Sequence, residues 1–154
     1  WIINWLKEKF LNKKSKLKTA YSKKIYIDRS DSKSNIAHLR TLKNENEVRA
    51  LLLEKGFDIV KLSELNFNNQ VKLFNDAECI VGLHGSGFAN LPFCEPKTKV
   101  VEFRNFTSGP IIENIAKKIN LNYNSIISEN KDTRFGIQQG HIHVPIEQLA
   151  NLIN

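Results

Sequence analysis

The chain has 154 residues and two cysteines, so it has the length of one soluble domain and too few cysteines for a disulfide framework. No apolar stretch approaches the roughly 20 residues that span a bilayer, and the N-terminus lacks the pattern of a signal peptide, which argues for a cytoplasmic setting. The net charge of +7 lies within residues 1–24, and the balanced remainder argues against nucleic acid as a partner.

Residues 1–23 are the first unit that the sequence suggests, a basic amphipathic helix followed by a linker. Trp5, Leu6 and Phe10 form an apolar stripe at helical spacing beside lysines. A helix that docks on its own or a neighbouring domain fits this pattern, and a helix lying on a membrane surface is the alternative. Because the chain has no methionine and begins at Trp1, we expect it to be part of a longer protein.

Residues 24–154 are the second unit, in which apolar strands alternate with amphipathic helices. Strands are predicted at 24–28, 57–62, 78–82, 98–103 and 121–127, with a short one at 141–144. Helices are predicted at 44–56, 66–77, 86–93, 108–120 and 145–153, the third being short and broken by Pro92, and residues 128–140 read as an irregular loop. Asn44 and Glu47 have the spacing of a capping box. The alternation predicts an α/β fold of the Rossmann-like, doubly wound type, with a mainly parallel sheet in the order 2-1-3-4-5.

The stretch ECIVGLHGSGFANLPF, residues 78–93, joins a predicted strand to a run of small residues. A P-loop needs a lysine after its last glycine, where Phe88 stands, and a nucleophile elbow needs glycines in the places of His84 and Phe88. A dinucleotide fingerprint matches weakly, because Asn90 replaces its final glycine. Two interpretations remain: a tight turn, or an anion site formed by the backbone N–H groups of residues 85–87 and the following helix.

Two arginines favour the anion site. Arg29 follows the first strand, and Arg40 precedes the helix that begins after Asn44. In the order 2-1-3-4-5 the first and third strands are neighbours, so the loops that follow them meet at the topological switch point. Arginine forks beside N–H groups suit a diphosphate. The predicted diphosphate site comprises Arg29, Arg40, His84, Gly85, Ser86 and Gly87. Surface ion pairs for the arginines and a hydrogen bond to nearby backbone for His84 remain the alternatives, as does a catalytic role for His84.

The arginines and the glycine motif together resemble a known family. Arg29, Arg40 ahead of NENEV, and AECIVGLHGSGFANLPF followed by KVVEF make residues 24–153 similar to the C-terminal half of glycosyltransferase family 61. The family's most specific motif is His-Gly-Ala-Gly-Leu, and it reads His-Gly-Ser-Gly-Phe here, beginning at His84. The family includes bacterial capsular-polysaccharide enzymes, plant xylosyl- and arabinosyltransferases and animal O-linked N-acetylglucosaminyltransferases.

The resemblance implies a GT-B architecture, in which this chain is the C-terminal, donor-binding domain and the N-terminal acceptor domain is absent from it. The implied reaction is inverting and metal-independent, and it transfers a sugar from a nucleotide sugar, expected to be a uridine diphosphate sugar, to a glycan or other hydroxyl acceptor. No cofactor is implied. The sequence agrees on the absence of a metal site, since it has no Asp-x-Asp pair and no His/Cys cluster with ligand spacing. The basic N-terminal segment would meet the acceptor domain or the inner membrane surface.

Further donor contacts follow only by similarity to other GT-B enzymes. The nucleobase is expected near Leu62, Ser63, Glu64 and Leu65. The ribose or sugar is expected near Asn90 and Glu102, with Asn44 and Glu45 as further candidates. The sequence assigns no general base, so we expect this chain to bind donor without turning it over. A catalytically silent nucleotide-binding or interaction module, and a dinucleotide-dependent oxidoreductase domain, are the other interpretations.

Overall fold

The computed structural model describes residues 1–11, 21–30, 41–128 and 140–154. These residues form one sheet of five parallel strands in the order β2-β1-β3-β4-β5. The strands are β1 (Lys24–Asp28), β2 (Asp58–Lys61), β3 (Cys79–Leu83), β4 (Lys99–Asn105) and β5 (Asn122–Ser128). The predicted α/β, Rossmann-like fold and its strand order are therefore confirmed.

Helices cover both faces of the sheet. They are α1 (Ile2–Leu11), α2 (Glu45–Glu54), α3 (Phe67–Asp76), α4 (Ile111–Lys118) and α5 (Ile146–Ile153), with 3₁₀ helices at Leu62–Glu64 and Ser86–Phe93. The first face carries α1, α3, α4 and the Ser86–Phe93 helix, and the second carries α2 and α5. None of the helices in the described part of the chain has the length and apolarity needed to cross a bilayer.

The core consists of two apolar layers, one on each face, because successive side chains of a strand point to opposite faces. In β1, Ile25 and Ile27 enter the layer under α3, whereas Tyr26 enters the layer under α2. All five residues of β3 are buried. Parallel strands covered on both faces are apolar on both, and this is why the strands read as continuous apolar runs in the sequence.

Helix α1 docks on the same domain through one side. Leu6 and Phe10 pack against the first layer, and the Phe10 ring meets those of Phe67 and Phe93 edge-on, with centroids 5.1 and 6.2 Å apart. Trp5, which the predicted stripe included, is 51% exposed. Of the predicted stripe, Leu6 and Phe10 therefore face the core of this domain and Trp5 does not.

The predicted capping box at the start of α2 is not formed. The Asn44 side chain makes no capping hydrogen bond. Its Nδ2 donates to the Val144 carbonyl at 2.8 Å, and its Oδ1 accepts from the Val144 N–H at 3.0 Å. The buried amide of Asn44 thus joins the start of α2 to the segment before α5, a tertiary pairing that replaces the local one.

Two other predicted elements differ from the structure. The strand predicted at 141–144 is reduced to an isolated bridge between Ile142 and Leu42. The helix that Pro92 was expected to break continues to Phe93, because the N–H of Cys94 still closes the last turn on the Leu91 carbonyl at 2.9 Å. Most of the predicted linker, 12–20, and of the predicted loop, 129–139, lies outside the described residues.

Candidate functional site

A cleft opens at the carboxyl ends of the neighbouring strands β1 and β3. The chain leaves β1 towards α2 on one face and leaves β3 towards the Ser86–Phe93 helix on the other, so the cleft is the topological switch point of the sheet. Its volume is about 320 Å³, at the lower end of the range for small-molecule sites. It is lined by Ile27, Asp28, Arg29, Leu62, Ser63, Gln70, Ser86, Gly87 and Asn90.

Arg29 lies directly against the glycine motif. Its Nη1 donates to the His84 carbonyl at 2.6 Å. A Cβ added to Gly85 would lie 2.6 Å from that Nη1 and 3.0 Å from Cζ, so a side chain there would displace the guanidinium. The backbone of Gly85 is extended, with φ of 162°, a conformation open to any residue. Gly85 is therefore needed for space, and the space is occupied by Arg29.

Two further glycines are explained by packing against β1. A Cβ on Gly87 would lie 3.0 Å from Ile27 Cγ2 and 3.2 Å from Leu62 Cδ1. A Cβ on Gly82 would lie 3.2 Å from Ile27 Cβ. These contacts let the Ser86–Phe93 helix begin close to β1, so that its first N–H groups, which have no acceptor within the helix, lie at the cleft.

Asp28 brings a buried negative charge to the cleft, and protein groups balance it. The side chain is 3% exposed. It accepts from the Ser30 N–H at 2.8 Å, from Ser30 Oγ at 3.1 Å and from Arg49 Nη1 at 3.1 Å. Burial acts to raise the pKa of Asp28, but the hydrogen bonds from Ser30 and Arg49 outweigh it and lower that pKa below its ordinary value. The carboxylate is thus held charged and already partnered.

Gln70 of α3 organises the far wall of the cleft. Its Nε2 donates to the carbonyls of Leu62 and Leu65 at 2.9 and 3.1 Å, and its Oε1 accepts from Asn90 Nδ2 at 2.9 Å. One amide therefore links the segment after β2 to the Ser86–Phe93 helix. No role for Gln70 was predicted from the sequence.

On the other side of the glycine motif, His84 belongs to a buried polar chain. His84 is 4% exposed and Glu102 is 1% exposed. Glu102 Oε1 makes a short contact with His84 Nδ1, and Glu102 Oε2 accepts a short hydrogen bond from the Tyr123 hydroxyl. Burial, followed by the hydrogen bond to Glu102, raises the pKa of Tyr123 well above its ordinary value. We name these three residues the His84–Glu102–Tyr123 chain.

The structure brings part of the predicted donor site together. Six predicted residues line the cleft, namely Arg29, Leu62, Ser63, Ser86, Gly87 and Asn90, while His84 and Gly85 adjoin it through Arg29. Glu64 and Leu65 belong to the same segment but do not line the cleft. Arg40 lies outside the described residues.

The remaining ribose candidates have protein partners. Both oxygens of Glu102 contact His84 and Tyr123, and the Asn44 amide is paired with Val144. Glu45 Oε1 lies 3.7 Å from Arg49 Nη1. Their assignment to ribose or sugar stays a prediction. Within the described ranges, no group of three or more His, Cys, Asp or Glu side chains is arranged to hold a metal ion.

One comparison with known proteins gives a match. The family model described as Glycosyltransferase 61 matches residues 1–101. That range includes α1 and ends within β4, whereas the resemblance was placed on residues 24–153. The search of curated proteins gives no match. The matched range contains Arg29, the glycine motif and every residue that lines the cleft.

Proposed function

The chain belongs to glycosyltransferase family 61, and we propose that it binds the nucleotide-sugar donor of an inverting, metal-independent sugar transfer. The proposed donor is a uridine diphosphate sugar, and the proposed acceptor is a hydroxyl group of a glycan or another molecule. The observation that carries the proposal is the cleft at the switch point, where Arg29 lies beside the first N–H groups of the Ser86–Phe93 helix.

The donor's diphosphate is the part that this cleft suits best. Arg29 supplies a fixed positive charge, and Ser86 and Gly87 supply backbone N–H groups at a helix start. The carboxylate of Asp28 would oppose an anion, but its hydrogen bonds to Arg49 and Ser30 balance its charge. A diphosphate therefore meets net attraction at the Arg29 side of the cleft.

These groups also suit the chemistry of the leaving group. When the bond to the anomeric carbon breaks, negative charge grows on the β-phosphate, and donors aimed there favour the transition state over the ground state. One well-aimed donor in a dry site contributes roughly 2.7–4 kcal/mol. A helix terminus alone contributes about 0.3–1 kcal/mol when exposed. Arg29 and the N–H groups would thus do the work that a divalent cation does in metal-dependent transferases.

The nucleoside would lie along the wall that Gln70 organises. Leu62 and Ser63 line the cleft on the β2 side, and Asn90 lines it from the Ser86–Phe93 helix. These side chains offer an apolar surface, a hydroxyl and an amide. At about 320 Å³ the cleft suits a diphosphate and part of a nucleoside, so other parts of the full-length enzyme would enclose the sugar.

Inversion also needs a general base, and we assign none to this chain. We propose that the acceptor domain supplies it, so that the chain binds donor but does not transfer sugar by itself. Sugar transfer catalysed by residues 1–154 alone would contradict this part of the proposal and leave the donor site itself intact.

Calorimetric titration of the chain tests the donor site. We expect uridine diphosphate to bind more tightly than uridine, and a nicotinamide dinucleotide to bind no better than uridine. Arg29→Ala removes a charge-assisted hydrogen-bond donor worth about 1.5–3 kcal/mol, so the uridine diphosphate affinity should fall at least about tenfold. Lys117→Ala, which removes the same charge from the last turn of α4, is the control and should leave the affinity unchanged. Equal losses in both variants would mean non-specific charge attraction.

A further inference from the structure

We propose that Glu102 is a positioning residue for the anion site: through His84 it sets the carbonyl that holds Arg29, although it does not itself contact the cleft. The inference rests on the proposed donor binding. Glu102 and Tyr123 would act on the diphosphate only through the position of the Arg29 guanidinium. The steps of this connection run from β5 across the sheet to the loop after β1.

The first step is the fixing of the His84 ring. Glu102 is 1% exposed within an apolar layer, where an ionised carboxylate destabilises the folded state unless hydrogen-bond donors surround it. Its two oxygens receive one donor each, the Tyr123 hydroxyl and His84 Nδ1. A carboxylate accepts only, so Nδ1 carries the proton and the ring has one defined orientation. Tyr123 remains a donor at neutral pH, since its pKa is raised.

The second step connects the fixed His84 ring to the backbone of the same residue. The His84 N–H donates to the Phe103 carbonyl at 2.8 Å, so both the backbone and the ring of His84 are attached to β4. The carbonyl of the same residue accepts from Arg29 Nη1 at 2.6 Å, and the guanidinium rests on Gly85. A shift of the His84 ring would therefore move the acceptor that orients Arg29.

The third step is the reason for a carboxylate at this place. Val100, two residues before Glu102 on the same face of β4, is buried and apolar, and an apolar residue at 102 would extend that layer of the core. Buried ion pairs are weak contributors to stability, and apolar replacements of whole pairs are often neutral. Stability alone therefore does not account for the carboxylate. Its role in fixing the His84 carbonyl does account for it, because that carbonyl holds Arg29 in place before a ligand binds.

Glu102→Gln is the sharpest variant, because it keeps the shape of the side chain. Its amide presents one donor and one acceptor where the carboxylate presented two acceptors, so His84 Nδ1 and the Tyr123 hydroxyl cannot both keep their present hydrogen bonds. We expect the affinity for uridine diphosphate to fall about fivefold or more and the affinity for uridine to stay unchanged. Nitrogen NMR of His84 should report the altered tautomer or environment. Val101→Ala, a core truncation on the opposite face of β4, is the control for a general loss of stability.

A double-mutant cycle separates positioning from stability. In the Arg29→Ala background, Glu102→Gln should weaken uridine diphosphate binding no further, since the group it positions is gone. An equal effect in both backgrounds, an equal loss for uridine, or an equal loss in Val101→Ala would overturn the inference. If Glu102→Gln does not fold, Tyr123→Phe serves as the second variant, because it removes only a hydroxyl. It should lower the affinity for uridine diphosphate by a smaller factor, and this effect should be absent in the Arg29→Ala background. Unchanged affinity in Tyr123→Phe would then overturn it.

The wild-type titration distinguishes the two proposals. If wild-type protein binds uridine diphosphate and Glu102→Gln binds it equally well, the positioning role fails and the donor site stands. If wild-type protein binds uridine diphosphate no better than uridine, the donor site fails, and the positioning role fails with it.

Discussion

The two sides of the glycine motif differ in chemistry. On the β1 side, the motif borders an open cleft, and its neighbour is the long side chain of Arg29. On the β4 side, the motif is attached by the buried His84–Glu102–Tyr123 chain. The first side presents charge and N–H groups at an open cleft, whereas on the second side His84 and Glu102 are buried and Tyr123 is half-buried.

The difference separates affinity from stability. Removing a partner of a buried carboxylate lowers the free energy of unfolding strongly, because water cannot replace the partner. A side chain at an open cleft is solvated when its partner is removed, so the free energy of unfolding changes little. Variants on the β4 side should therefore lower the free energy of unfolding as well as the affinity, whereas variants on the β1 side should act mainly on binding. The following predictions test that division.

The largest effect is expected for His84→Leu. The substitution keeps the volume roughly constant but leaves the carboxylate of Glu102 buried with one donor, so the free energy of unfolding at neutral pH should fall by about 3–5 kcal/mol. Urea denaturation measures this loss. The double variant His84→Leu/Glu102→Leu removes the unpaired charge as well and should recover a large part of it. A double variant as unstable as the sum of two damaging substitutions would contradict the assignment of a buried hydrogen-bonded pair.

Gly85→Ala should show the opposite behaviour. Its extended backbone accepts alanine, but the added Cβ would lie 2.6 Å from Arg29 Nη1, so the guanidinium must leave the His84 carbonyl. We expect uridine diphosphate to bind about tenfold more weakly, from the loss of one charge-assisted contact, with little change in the unfolding midpoint. Gly109→Ala is the matched control, because no atom lies within 4 Å of a Cβ at Gly109. Equal affinity in the two alanine variants would show that Arg29 need not occupy this place.

The fold could be predicted from the sequence because its determinants are local. Short apolar runs such as KIYID and ECIVG alternate with amphipathic segments, and right-handed crossover connections then leave few possible sheet orders. The cleft was predictable for a related reason. The carboxyl ends of parallel strands meet at one edge, so Arg29 and Ser86, which follow β1 and β3, had to be near each other.

The sequence could not show contacts that depend on register. Glu102 lies beside Gly82 in β3 and Ser125 in β5, and this pairing brings His84 and Tyr123 to the same carboxylate. The signal was present: an acid in the apolar run KVVEF, on the same face as Val100, indicates a buried partner. The partner's identity was not readable. The capping prediction for Asn44 was wrong for the same reason, since Val144 is 100 residues away.

A smaller effect, on pH dependence, is expected from Asp28. Its pKa in the folded protein lies below the ordinary value of 3.8, so its stabilising contribution is complete above that pH and is lost as the pH falls through the lowered pKa. Asp28→Asn should lose about 1 kcal/mol near neutral pH, because Arg49 loses its charged acceptor, and should show a flatter decline in stability below about pH 4. Urea denaturation at a series of pH values measures both.

Salt distinguishes the buried carboxylate from a surface one. The pKa of Glu113 is also lowered, by its hydrogen bond and charge interaction with Lys117, but that pair is on the surface and is screened by salt. The pH dependence assigned to Asp28 should therefore persist in 1 M salt, whereas the contribution of Glu113, measured with Glu113→Gln, should vanish. A salt-sensitive Asp28 contribution would mean that Arg49 and Ser30 do not shield it as their contacts indicate.

The smallest effect is expected at the opposite edge of the sheet, where a larger groove of about 660 Å³ lies at the amino ends of β3 and β4. It contains the cations Lys23 and Lys97, and Asp76, Glu78 and Glu95 line it too, so its charges are mixed. Lys23→Ala removes an exposed pair with Glu78 and should change neither the unfolding midpoint nor the affinity for uridine diphosphate. If Lys23→Ala weakened binding as much as Arg29→Ala, charge alone would govern affinity, and the distinction between the two sides of the glycine motif would lose its basis.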